Sequence, residues 1–512
     1  MLSYTHSVSI KYDDPLAVYA RLRGTGATVL FESSSTNERF GRLSLIGIQP
    51  SLALEGLEGR CTVRLLDARA QPAFDCLAQA YAPECTAATA TELTLAFPPE
   101  PFAGEEHARV GKRCAAQPIR ALLQAFKSAE RGYAGLYGAF GYRFVYQYED
   151  SLPRSAKAAG AQGVPDYRLW LFDTVLFFNH LTRECRLYAT RATPEAAQAA
   201  AEAALAELTA QPERWGDTPT AGPASLYPTE ATYLAQVTEA LAAFAAGDLL
   251  EVVLSRELSA PFAGDPLHLY RAYRQLSPSP YLFYLDMMDE KAGEGAGEVL
   301  LGASPEMMVR VEDRRATLRP ISGTVRRAGN PIEEHHAMLS LLNSEKEKSE
   351  LDMLIDLARN DLARVCQPGV TVEDYRMVEP YSHVLHTVAQ VSGTLEAEVC
   401  AYDALVATLN AGTLTGAPKV AAMQHIEATE GHHRGYYGGA VGYLSFTDEV
   451  NTGIVIRSAH VKDGVIRYCA GATLLTESDP EAELQEVAAK MAGFRQVLAQ
   501  FAAPLAPTHT QA

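Results

Sequence analysis

The chain reads as an α+β protein with antiparallel sheets, and three features of the sequence carry that reading. Runs rich in β-formers follow one another across short turns, as at 299–312, 440–446, 453–461 and 465–470. Long helical patterns at 332–365 and 480–501 stand apart from those runs instead of alternating with them. No internal repeat is evident, and nothing has the alternation that builds a doubly wound parallel sheet.

Taken in order, the first part contains short β runs such as 27–31 and 169–178, separated by turns. Positions 194–211 are dense in Ala and Glu and predict a helix. The next stretch, 212–228, is rich in Pro, Gly, Thr and Ser and reads as a linker between region 1–211 and region 229–500. Thr229 can cap a helix whose Leu234, Val237, Leu241 and Phe244 recur at helical spacing, with Gly247 as its stop. Strands follow at 249–258, 282–286 and 299–312, with a polar glycine loop at 289–298. Residues 501–512 form a tail.

Composition excludes several classes. The 512 residues are 47% hydrophobic and 21% charged, as in folded globular proteins. A net charge of −18 repels nucleic acid and anionic membranes. An anionic small molecule is a different matter. Beyond about 8 Å the repulsion is screened, so a few local cations can override it. The N-terminus lacks the pattern of a signal peptide, and no apolar run reaches the ~20 residues of a membrane helix. Eight scattered cysteines without a CxxC pair fit reduced thiols in a cytoplasm.

Two acidic pairs come first among residues able to carry chemistry. Glu347 and Glu350 share one helix face, and Glu483 and Glu486 share another. Four converging carboxylates would make an all-oxygen site for Mg²⁺. The same residues also suit a solvated charged face and a helix start. Glycine-rich segments at 321–324, 411–419, 437–443 and 470–473 flank strands, and each suits either a tight turn or close approach to an anion. None is a P-loop or a dinucleotide fingerprint. Arg457 interrupts the apolar strand IVIRS and requires a carboxylate partner, internal or bound. His383 and His386 lack the HExxH spacing of zinc hydrolases and default to core histidines.

Together these segments resemble the chorismate-utilising enzymes, and within them the large subunits of anthranilate synthases. The matching blocks are GASPE at 302–306, PISGT at 320–324, DLARNDLAR at 356–364, YSHVLH at 381–386, and segments 412–419, 434–443 and 471–486, in family order. LFES at 30–33 and GRLSLIG at 41–47 extend the likeness into the first half. The resemblance implies a large antiparallel β-sandwich flanked by helices, with both halves of the chain contributing. It implies conversion of chorismate and ammonia to anthranilate and pyruvate through aminodeoxyisochorismate. Mg²⁺ would be held by Glu350 and Glu486, with Glu347 and Glu483 beside them. Arg457 and Tyr437 would bind the enolpyruvyl carboxylate. Gly323, Thr324, Gly471, Ala472 and Thr473 would complete the pocket, with Thr413 and Lys419 nearby. Glu306 would be the general acid for the leaving hydroxyl, and His386 would assist elimination of pyruvate.

Two positions separate the relatives. Those making 4-amino-4-deoxychorismate carry Lys where this chain has Ser322, and those adding water carry Lys where it has Glu251. Ammonia-using members often have Gln at the latter position, so Glu251 is a departure. No cysteine has a glycine neighbour, as an amidotransferase nucleophile would, so ammonia is expected from a separate glutamine amidotransferase subunit in a hetero-oligomer. Ser33, with Pro280, Tyr281 and Leu282, resembles the family's tryptophan-binding site and implies feedback inhibition. Two other readings stand beside this one: an aminodeoxyisochorismate-releasing enzyme of a phenazine-like pathway, and a non-catalytic tryptophan-sensing scaffold.

Overall fold

Strands Gly135–Phe140 and Tyr167–Phe172 are buried at every position. A strand with two apolar faces needs cover on both sides, and here a second sheet lies on one side and helices on the other. The structure, a computed structural model, describes residues 4–24, 26–34, 43–130, 132–152, 163–288, 297–380 and 384–502.

Two antiparallel sheets of 13 strands each form the body. The first runs from Tyr4–Ile10 through Glu184–Arg191, Thr174–Asn179, Leu43–Gly47 and Thr28–Glu32. It continues through Tyr281–Asp286, Val299–Ser304, Ser458–Lys462 and Val465–Leu474 to Glu251–Ala263. Both halves of the chain thus share one sheet, as expected. The second sheet centres on Met307–Glu312, Val450–Ile454, Ala440–Ser445, Gly135–Phe140 and Tyr167–Phe172. Between the sheets pack Val29, Phe283 and Leu300 from one and Tyr137, Trp170 and Val441 from the other. Helices Pro15–Leu22, Glu230–Ala246, Pro266–Leu276 and Pro480–Leu498 cover the outer face of the first sheet. Helices Gln117–Ala125, Glu345–Ala363 and Ala401–Thr408 cover the second. No described helix is long and apolar enough to cross a membrane, and all eight cysteines are unpaired.

Local signals behaved as chemistry demands. Thr229 accepts the Thr232 N–H at the start of Glu230–Ala246, and Gly247 ends that helix at φ +82°. The stretch 212–228 is not a free spacer. Its strands Thr220–Ala221 and Ser225–Tyr227 pair with Glu251–Ala263 along the sheet.

Three long elements read from periodicity are divided. The helix at 332–365 is two, Pro331–Asn343 and Glu345–Ala363, because Ser344 turns extended and caps the second through the Glu347 N–H. Run 299–312 is also two strands, Val299–Ser304 in the first sheet and Met307–Glu312 in the second. Pro305, which has no N–H for a ladder, stands at the crossover. Run 453–461 divides in the same way between Val450–Ile454 and Ser458–Lys462, with Arg457 at φ +50°. The strands on either side of each crossover are buried at most positions, so the apolar run continues across it and the pattern could not reveal the change of sheet.

Candidate active site

The two crossovers run side by side. Ala303 N–H donates to the Arg457 carbonyl at 3.0 Å, and Ile454 N–H donates to the Glu306 carbonyl at 3.0 Å. One exchange of strands between the sheets therefore places both Glu306 and Arg457. Glu306 is buried, and Thr413, in the short turn Gly412–Leu414, donates its hydroxyl to Oε1 at 2.9 Å. Burial pushes the Glu306 carboxyl up to about 8, against smaller opposing effects of the Thr413 hydroxyl and the Lys490 ammonium. A carboxyl protonated near neutrality is what a general acid requires.

Arg457 is half-buried and forms no ion pair with a described carboxylate. Its charge acts instead on His386, Tyr273 and Tyr468. His386 stands on Val384–Thr394 opposite Thr324, and its Nδ1 donates to the Gly323 carbonyl at 2.8 Å. That bond fixes the proton on Nδ1, while burial lowers the pKa and favours the neutral ring. Gly471, Ala472 and Thr473 lie on Val465–Leu474, opposite Ser255, Leu254 and Val253. The Tyr437 hydroxyl lies 3.0 Å from where a Gly471 β-carbon would stand.

The carboxylates of the two helices sense one another. Glu486 raises Glu347, Glu350 and Glu483, although burial is the larger cause for all three. Glu350 Oε2 accepts the Ser322 hydroxyl at 3.2 Å, and Glu347 Oε2 lies against Gly323. Glu483 Oε1 accepts Ser478 at 2.6 Å, but its Oε2 is buried without a partner. An orphaned buried carboxylate oxygen among mutually repelling acids fits a hard divalent cation. The four do not form a closed cage. Among the described residues no three His, Cys, Asp or Glu side chains close on a common point. Glu486 is exposed and pairs with Lys490 at 2.8 Å.

Other placements depart from the sequence reading. Lys419 does not face this group. Its ammonium pairs with Asp361 at 2.7 Å and reaches the Thr408 carbonyl at 3.5 Å, a buried internal ion pair. A lysine beside a helix start also suits an acid from another helix, and sequence spacing does not distinguish the two. His383 and the Thr324 side chain lie outside the described residues. Lys490 was missed. It donates to the Gly471 carbonyl at 2.8 Å while pairing with Glu486, and its i+4 spacing from Glu486 was the available signal. Glu251 is 3% exposed, and burial, with Glu350 adding, pushes it up to about 8.

Ser33 and Pro280–Leu282 adjoin one another where strands Thr28–Glu32 and Tyr281–Asp286 pair. Ser34 N–H donates to the Ser279 carbonyl at 3.1 Å, and Leu282 pairs with Glu32. Tyr281 packs on Gly453, where a β-carbon would lie 2.7 Å from its ring, and donates its hydroxyl to Asn451 at 3.1 Å.

The sequence pattern of the family described as chorismate binding enzyme matches residues 76–496. The chain belongs to the chorismate binding enzymes. Within that family it is 35% identical to anthranilate synthase component 1 of Neisseria gonorrhoeae, over 93% of this chain and 90% of that one. It is 37% identical to the anthranilate synthase of Azospirillum brasilense, over 80% of this chain, which spans 54% of that longer protein. The crystal structure of anthranilate synthase component I from Streptococcus pneumoniae superposes with a TM-score of 0.69 at 26% identity, covering 89% of this chain and 92% of that one. Family membership makes this a chorismate-converting enzyme of the lyase type.

Proposed function

We propose that the chain is the chorismate-converting subunit of an anthranilate synthase, using ammonia supplied by a separate glutamine amidotransferase subunit. The observation that carries this reading is the pair of adjacent crossovers, one bearing a buried Glu306 that keeps its proton to about pH 8 and the other an Arg457 with no carboxylate partner among the described residues.

Arg457 and the Tyr437 hydroxyl receive the enolpyruvyl carboxylate, a charged contact of about 1.5–3 kcal/mol. The backbone at Gly323 and Gly471 to Thr473 closes round the ring. Glu350 and Glu486 would hold Mg²⁺, with Glu347 and Glu483 beside them. When bound, that ion supplies positive charge for the ring carboxylate and relieves repulsion among the acids. Ammonia attacks C2 while Glu306, steadied by Thr413, delivers its proton to the departing C4 hydroxyl. Neutral His386 is suited to take up a proton as pyruvate leaves. Ser322 and Glu251 stand where other family chemistries would need lysine, which favours ammonia as the nucleophile.

Tryptophan is the proposed inhibitor at Ser33 and Pro280–Leu282. A route to the substrate exists through Tyr281, which packs on Gly453 four residues before Arg457. Occupation of the two sites would be coupled in both directions.

The test is direct. Chain alone, with chorismate, Mg²⁺ and saturating ammonium, should release fluorescent anthranilate and pyruvate. A non-aromatic amine in the mass spectrum would move the reading to aminodeoxyisochorismate formation, and no product would end it. Equal chorismate affinity with and without tryptophan would retire the regulatory site.

A further inference from the structure

A cavity of about 50 Å³ adjoins Glu306. Its lining includes Glu306 and Thr413 but none of Arg457, Tyr437, His386, Gly323, Gly471 or the four clustered glutamates. Met307, Leu318, Leu354 and Leu357 give it apolar walls, while Thr408 and the charged Asp361 and Arg319 add hydrogen-bonding groups for water. Leu357, Ala411, Gly412 and Thr413 are only partly buried, so the rim reaches the surface. Leu357 packs directly on Gly412, where a β-carbon would lie 2.3 Å from its methyl group. At about 30 Å³ per molecule the cavity has room for one or two waters.

We infer that this cavity is the water and proton port of the site: water formed at the leaving hydroxyl departs into it, and the proton that Glu306 has donated is returned along it. The inference rests on the proposed function. In that reaction the C2–N bond forms as the C4–O bond breaks, the departing oxygen takes the Glu306 proton, the new C2 ammonium gives up one proton to solvent, and a water molecule and a carboxylate remain side by side. Glu306 is only 8% exposed in all. Thr413 holds Oε1, and no described residue donates to Oε2. A buried carboxylate that retains its charge is costly, which drives reprotonation through whatever water can reach it.

Leu357→Trp, at the rim, tests this by filling the mouth. With saturating ammonium and Mg²⁺, kcat should fall about tenfold, less than the roughly 10²–10⁴ that a general acid supplies because the acid itself is kept. KM for chorismate should hold, and the solvent deuterium isotope effect on kcat should rise. A folded Leu357→Trp protein with parental kcat and isotope effect overturns the port. Should that variant not fold, the parent crystal structure decides: ordered water bonded to Glu306 supports the inference, and an empty cavity overturns it. Glu306→Gln separates the two levels. Full activity in that variant removes the acid and the proposed mechanism, whereas an inactive Glu306→Gln beside a normal Leu357→Trp removes the port alone.

Discussion

Glu347 Oε2 lies 2.8 Å from the place a β-carbon on Gly323 would occupy, and Gly323 itself sits at φ +70°. One residue thus joins strand Ile321–Arg326 to the helix carrying two of the four acids, while its carbonyl holds His386. Gly323→Ala should destabilise the fold by about 1–2 kcal/mol for the left-handed backbone alone. Displacement of Glu347 adds to this, so thermal unfolding should show a lower Tm and a smaller gain from Mg²⁺. A parental response to Mg²⁺ would separate Glu347 from the metal.

Glu306 must carry a proton to act. Its carboxyl titrates at about 8, so turnover at saturating chorismate should decline as pH rises through that value. Glu306→Gln should lose about 10²–10⁴ in kcat together with that alkaline limb. Retention of the limb in the variant would assign it to another group.

Glu251 gives a stability signature of the same sign. Between the ordinary carboxylate range and about pH 8, the folded chain keeps a proton that the unfolded chain has released. The folded state binds more protons, so stability falls as pH rises across that window. Glu251→Gln lacks this dependence. Its stability relative to the parent should improve between about pH 5 and about pH 8, by on the order of a few kcal/mol. Denaturant melts at several pH values measure it, and a constant difference would refute the buried acid.

Metal should act on the fold as well as on turnover. Mg²⁺ at 100 times its Kd should stabilise the chain by about 2.7 kcal/mol. Glu350→Gln and Glu486→Gln should lose most of that gain. Calorimetry with and without a chelator reads it without any substrate.

Lys419 is predicted to serve the scaffold. Among the described residues, Lys419→Met leaves Asp361 with Arg364, at 3.0 Å, as its cation partner. A loss of about 3–5 kcal/mol is expected for a broken buried pair, with KM for chorismate unchanged in the folded fraction. Raised KM without lost stability would return Lys419 to the substrate.

What the sequence determined by itself was local or periodic. Thr229 and Gly247 bound their helix because capping and a left-handed stop are decided within a few residues. Glu347 and Glu350, like Glu483 and Glu486, share a face because helical geometry allows nothing else. The family blocks carried the fold class, and they named the site residues as a set of expectations. Only the tertiary structure decided where strands change sheets, because the apolar run continues unbroken on either side of Pro305 and Arg457. Only it decided that Lys419 meets Asp361, that Lys490 reaches Gly471, and that Glu306 is flanked by Thr413 and a cavity. Those contacts join residues far apart in the chain. Their energies depend on burial and orientation, which spacing does not encode.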